Sequence, residues 1–200
     1  MKKTFTQWNR TGLIFFLAGF VILCLAAFTF NWKDINSGIT YQDNPDLSEA
    51  VGKWGIDVSN STIGFKIGNM WVMNVKGTMG GLKGQVVIAK NISESIVELF
   101  LKPGTINTSI KKRDDHLKSD EFFDVEKYSS ITFKGNRISK VDEGYIAKGD
   151  LTIKDITKTV EVPFNYNGLE KKNGTMVAKF SGKVTIDRKD FHLDDFGGME

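Results

Sequence analysis

Thr159-Val160-Glu161-Val162-Pro163-Phe164-Asn165-Tyr166 carries an apolar side chain at every second position. In an extended chain successive side chains point to opposite faces. The stretch therefore puts Val160, Val162, Phe164 and Tyr166 on one face and Thr159, Glu161, Pro163 and Asn165 on the other. Reading outward, the same period recurs. Tyr145, Ala147, Leu151 and Ile153 oppose Lys148, Asp150, Thr152 and Lys154, and Met176, Ala178, Phe180, Val184 and Ile186 oppose Lys179, Ser181, Lys183, Thr185 and Asp187. Upstream, Ile63, Phe65 and Ile67 alternate with Thr62, Gly64, Lys66 and Gly68, and Trp71, Met73 and Val75 alternate with Val72, Asn74 and Lys76. Turn signals separate the runs: Gly80-Gly81, Lys102-Pro103-Gly104, Asp142-Glu143-Gly144 and Lys172-Asn173-Gly174. One apolar and one wet face per strand fits an antiparallel sheet, because parallel sheets are buried on both sides. Roughly seven or eight strands at this spacing predict a sandwich or a barrel.

Ser109 to Glu126 breaks the period. It is charged, with Leu117, Phe122 and Phe123 interspersed, and predicts one short helix, roughly Lys111 to Phe122, whose apolar side covers a barrel end or edge.

The chain has 200 residues, with 27 Lys and Arg against 24 Asp and Glu. Three of the bases, Lys2, Lys3 and Arg10, precede a run from Thr11 to Trp32 that holds no charge. Without them the remainder has 27 − 3 = 24 bases against 24 acids. The basic excess therefore belongs to a targeting tail and does not point to nucleic acid. As a helix, the run spans roughly 33 Å, enough for a bilayer core. Trp8 and Trp32 flank it as interfacial aromatics, and the positive flank keeps the N-terminus inside. The expected organisation is a basic cytoplasmic tail at 1–10, a transmembrane anchor (or signal sequence) at 11–32, a linker rich in Asn, Asp, Ser and Gly at 33–51, and a β-barrel domain at 52–197. That places a single-pass protein in the cytoplasmic membrane with its barrel on the extracytoplasmic, periplasmic side. Ala26-Ala27 is the only candidate cleavage site, and more apolar sequence follows it. Cys24 is the sole cysteine, which excludes an intrachain disulfide or a cysteine metal site. The 15 Phe need an interior, a ligand or a bilayer.

The break in the period also carries a resemblance. Arg113-Asp114-Asp115-His116-Leu117-Lys118-Ser119-Asp120-Glu121-Phe122-Phe123-Asp124-Val125, followed by Ile131-Thr132-Phe133, resembles the signature of the YceI-like family of polyisoprenoid-binding proteins. Trp54-Gly55-Ile56-Asp57, Gly149-Asp150-Leu151-Thr152-Ile153 running on to Thr157 and Val160, and Arg188-Lys189-Asp190-Phe191 match in order and spacing. The resemblance implies a lipocalin-like eight-stranded barrel whose lumen holds a long isoprenoid chain, in a secreted or periplasmic setting. Some positions depart from the pattern. Asn60 and Asn69 stand where members often have His, Asp155 replaces a turn Gly, and His192 replaces a Gly. The sequence ends at Glu200 where relatives usually continue into a last strand, so either that strand is lost or the sequence is truncated.

Alternation and resemblance together put Phe65, Ile67, Phe133, Tyr145, Leu151, Val162, Phe164 and Phe180 on the lumen wall, around an isoprenoid or other long-chain lipid. Lys111, Lys112 and Arg113 are candidates for a diphosphate head group, against the plainer reading of a solvated helix face. His116 beside Asp114 and Asp115 is a candidate acid–base or metal group, against a structural role. His192 alone could join it, and two His without Cys make a poor metal set. No catalytic residue, metal or cofactor is assigned. The expected function is a membrane-tethered carrier; the alternatives are an enzyme using His116 with a neighbouring carboxylate, and a ligand-free barrel that binds a partner.

Overall fold

A computed structural model of the chain describes residues 45–67 and 75–193. The anchor at 11–32, most of the linker, and Trp71 and Met73 lie outside the described residues. No helix among the described residues is long and apolar enough to cross a membrane.

Among the described residues, nine strands and one α-helix follow in chain order: β1 (Gly52–Gly55), β2 (Ile63–Ile67), β3 (Val75–Met79), β4 (Lys83–Ile88), β5 (Ile96–Leu101), α1 (Lys111–Lys118), β6 (Ile131–Val141), β7 (Gly144–Ile153), β8 (Ile156–Lys172) and β9 (Thr175–Gly182). Seven form an antiparallel sheet in the order β1-β4-β5-β6-β7-β8-β9, and β2 pairs with β3 in a separate hairpin. The curled sheet makes a nearly closed barrel. An isolated bridge between Thr78 and Asn107 ties the β2–β3 hairpin to the segment before α1.

The alternation in β8 sets the inside of the barrel. Val162, Phe164 and Tyr166 are buried while Glu161 and Pro163 are exposed. Their register partners continue the apolar face, with Tyr145 opposite Phe164 and Ala147 opposite Val162. Burying a side chain of this size is worth about 1.5–3 kcal/mol each. Close strand approach is needed where Gly135 faces Gly149. A Cβ on Gly149 would land on the Lys134 carbonyl oxygen. The β8–β9 turn is made by Asn173 (φ 50) and Gly174 (φ 83), the residue types that tolerate left-handed backbone in a two-residue hairpin.

Several expectations shift. Helix α1 ends at Lys118, not at Phe122. Ser119 leaves the helical region, its hydroxyl bonds the His116 carbonyl at 2.8 Å, and the chain folds back so that Phe123 N–H donates to the Leu117 carbonyl at 3.1 Å. That reversal turns Phe122 and Phe123 into the core at 1% and 5% exposure. Folded structure also begins before Gly52. Asp46 caps a 3-10 turn at Leu47–Ala50, and Leu47 and Ala50 are fully buried. Met176, placed inward by its period, is exposed, because β9 is an outer strand and its tip has no neighbour beyond β8 among the described residues. In the β7–β8 turn it is Lys154 (φ 57), rather than Asp155, that takes the left-handed conformation. Residues 183–187 follow β9 without joining a ladder, yet Val184 and Ile186 point into the core.

Candidate functional site: a divided apolar lumen

The inward faces of the strands enclose two small chambers. The first has a cavity volume of ≈ 30 Å³ and receives Phe65, Ile67 and Leu151 from the predicted wall. Phe122 and Phe123 behind α1 close it, and so do Val184, Ile186 and Leu193 from the segment after β9. The second has ≈ 70 Å³ and receives Phe133, Val162, Phe164 and Phe180. Among the described residues, every side chain lining the two is apolar except Arg188, which borders the first. Both are smaller than the apolar cavity of about 150 Å³ that admits benzene.

The boundary between the chambers can be traced on the wall. Leu99, Phe133 and Leu151 are successive register partners across β5, β6 and β7, so their side chains form one row along the inner face of the sheet. Leu99 and Phe133 face the second chamber and Leu151 the first. Two aromatic rings fill space next to glycines. A Cβ on Gly77 would meet the Phe65 ring, and one on Gly135 would meet the Phe133 ring at 3.1 Å. Glycine at these points lets the rings lie close to the wall.

Seven of the eight predicted wall residues thus meet at the chambers, and Tyr145 lines neither. Its ring stacks on Phe164 at 5.5 Å, and its hydroxyl accepts a 2.9 Å bond from Leu47 N–H, which pins the Leu47–Ala50 turn over the barrel. Tyr166, next to it on β8, is fully buried and its hydroxyl has no hydrogen-bond partner among the described residues. Burial pushes its pKa up from the ordinary tyrosine value, and Glu49 and Tyr145 add to the shift. Met79, Leu101, Ile106 and Leu193 also line the first chamber. Of these, Leu101 was readable from its alternation with Val97 and Leu99 in β5.

The charged motif on α1 does local work. Thr108 is buried, and its hydroxyl donates to Asp114 Oδ1 at 2.5 Å while accepting from Arg113 Nε at 2.8 Å. Arg113 Nη2 also donates to the Thr108 carbonyl at 3.0 Å, and Asp114 Oδ1 accepts from Thr108 N–H at 2.8 Å. Arg113 and Asp114 together lock the start of the helix. Lys111 pairs with Asp115 at 2.6 Å on the surface, and Lys112 is exposed. Consecutive helix residues point about 100° apart, so the three cations share no face. His116 Nδ1 lies 3.2 Å from Glu121 Oε2, and not against Asp114 or Asp115 as the sequence suggested. Its Nε2 is buried without a hydrogen-bond partner among the described residues. Among those residues no group of three or more His, Cys, Asp or Glu is placed to hold a metal. Asn60 donates to Asp57 at 2.6 Å and accepts from Lys172 at 3.1 Å.

Known proteins share this architecture. The crystal structure of Burkholderia cenocepacia BcnA superposes with a TM-score of 0.60 at 20% identity, covering 70% of this chain and 86% of that one, which is a likeness of fold. The crystal structure of the Campylobacter jejuni YCEI protein gives a TM-score of 0.55 at 28% identity over 70% of this chain and 84% of that one. A UPF0312 protein of Photorhabdus laumondii is 30% identical over 150 residues, covering 73% of this chain and 78% of that protein. One from Staphylococcus epidermidis is 32% identical over 145 residues, covering 71% and 82%. The family model of the YceI-like domain matches residues 54–199. With that match spanning most of the chain, and with the signature around α1 in place, the protein belongs to the YceI-like family.

Proposed function

We propose that the barrel is a non-enzymatic binding protein for an isoprenoid or similar long-chain lipid, tethered to the cytoplasmic membrane by residues 11–32 and facing the extracytoplasmic side. The observation that carries this reading is the lumen wall. Two adjoining chambers inside one barrel are lined by apolar side chains, with Arg188 the only charged neighbour among the described residues. The family resemblance supplies the ligand class. The uncharged run with its basic N-terminal flank supports the tether.

Binding would rest on burial of hydrocarbon. One isoprene unit hides on the order of 100 Å², worth ~2.5 kcal/mol before entropic costs. The chambers are too small to take a chain unchanged, so loading requires the side chains that line them to repack. Part of the binding energy would offset that repacking, which favours long chains over short ones.

The test is retention of a fluorescent isoprenoid by the full chain. Val162→Asp puts an unpaired charge on the chamber wall, where desolvation opposes both the charge and the chain. It should abolish retention while circular dichroism shows a folded barrel. Lys154→Asp, in the β7–β8 turn where Asp tolerates left-handed backbone, should leave it nearly untouched. Equal effects of the two changes would place the ligand outside the lumen.

A further inference from the structure

The two outer strands of the sheet, β1 and β9, are not joined by a ladder among the described residues. Between them runs a cleft of ≈ 380 Å³, lined by Trp54, Ile56, Val86, Met176, Ala178 and Phe180, with Asp57, Ser61 and Thr175 also on its border. Ile56, Val86 and Phe180 also line the second chamber, so the cleft and the chamber share a wall three side chains wide. The Phe180 ring stands at that wall, 6.1 Å from the Phe164 ring and 5.5 Å from that of Tyr166. Where β8 ends, Lys172 Nζ reaches across to Asn60 Oδ1 at 3.1 Å, so a polar clasp joins the tip of the β8–β9 hairpin to the loop after β1.

We propose that this cleft is the lateral mouth of the barrel. An apolar chain lodges between β1 and β9 and passes over Phe180 into the second chamber. The inference rests on the reading of the barrel as a binder of isoprenoid chains, and four observations point to this occupant. The cleft is more than twice the volume of about 150 Å³ that admits benzene, whereas neither chamber reaches it. It continues into the chamber through shared side chains, which a surface groove for a protein partner would not need. Its outer rim carries Met176, exposed at 47%, an unbranched side chain that can swing aside without disturbing the core. Phe180 is only partly buried although it bounds both spaces, as a side chain separating two compartments would be.

The experiment follows uptake of all-trans-retinol, an isoprenoid whose fluorescence rises in an apolar site, by the full chain in detergent solution under stopped flow. Met176→Arg sets a charge at the rim, and Ala178→Trp fills the cleft. Each should slow association about tenfold or more, and Met176→Leu should restore the wild-type rate. Ser129→Trp, in the separate groove beside Phe100 and Val125, should leave the rate unchanged. Because Met176 is exposed, Met176→Arg decides the matter even if Ala178→Trp fails to fold. Normal binding with unchanged rates in all variants would overturn the lateral mouth and leave the binding function standing. No uptake by the wild-type chain would overturn both. Loss of a dimer in Ala178→Trp without any change in uptake would assign the cleft to a second copy and overturn the proposal.

Discussion

Phe123→Ala tests whether the segment after α1 holds the barrel shut. The ring is 5% exposed, meets Phe122 edge-on with centroids 5.1 Å apart, and forms part of the wall of the first chamber. Removing a core aromatic costs about 3–5 kcal/mol, made up of lost transfer energy and the cavity left behind. The edge-on pair accounts for about 0.5–1.5 kcal/mol of that. The upper half of the range applies only where neighbours cannot collapse. Here the site borders an existing void of ≈ 30 Å³, so part of the ring's packing is already missing and about 3–4 kcal/mol is expected. For a domain of this size each kcal/mol moves the melting midpoint by roughly 3 °C, which gives a fall of roughly 9–12 °C. Thermal melts of the full chain followed by circular dichroism would read it. Ile110→Ala, half exposed just before the helix, serves as the control and should shift little. A midpoint within about 2 °C of wild type for Phe123→Ala would refute the argument and make the segment surface decoration.

Tyr166→Phe removes a buried hydroxyl that has no hydrogen-bond partner among the described residues, so it should raise the melting midpoint or leave it unchanged; a clear fall would show that the hydroxyl is bonded in solution. His192→Gly should stabilise by about 0.5–1 kcal/mol, because His192 sits at φ 50 where a Cβ is penalised, and a denaturant titration would measure it. Asp46 is held well below the usual carboxylate range, first by the Lys140 amine at 2.9 Å and then by Ser48 N–H. A depressed carboxylate contributes stability above its ordinary pKa of about 3.9 and loses it as pH falls through the lower folded value. The deficit of Asp46→Asn in melting midpoint should therefore narrow steadily from about pH 4 downward, and a constant gap would show that the pair with Lys140 contributes nothing.

Alternation made the barrel wall legible. Val162, Phe164 and Tyr166 lie inside and Glu161 and Pro163 outside, because a period of two needs only local sequence. The same rule failed for Met176, whose inward direction meets a gap between outer strands instead of a neighbour. The Leu47–Ala50 turn was hidden in a polar stretch. Its signal is short: Asp46 as cap, then two apolar residues three apart, pinned by the hydroxyl of Tyr145, which lies far along the chain. Where the lumen divides could not be read in advance. It depends on the register that brings Leu99, Phe133 and Leu151 side by side, and no single strand encodes register across three. The charged motif was legible only in outline. A structural role could be read beside the chemical one, but the partner that Arg113 and Asp114 share, Thr108, could not, because a count of charges does not show it.

The central claim is that the barrel carries a hydrocarbon chain, and native mass spectrometry of the full-length protein, extracted in mild detergent from the cells that make it, tests it most directly. The account predicts a second species heavier by the mass of one lipid, released on collisional activation and absent from Val162→Asp. A single ligand-free mass under conditions that preserve a known lipid complex would contradict it.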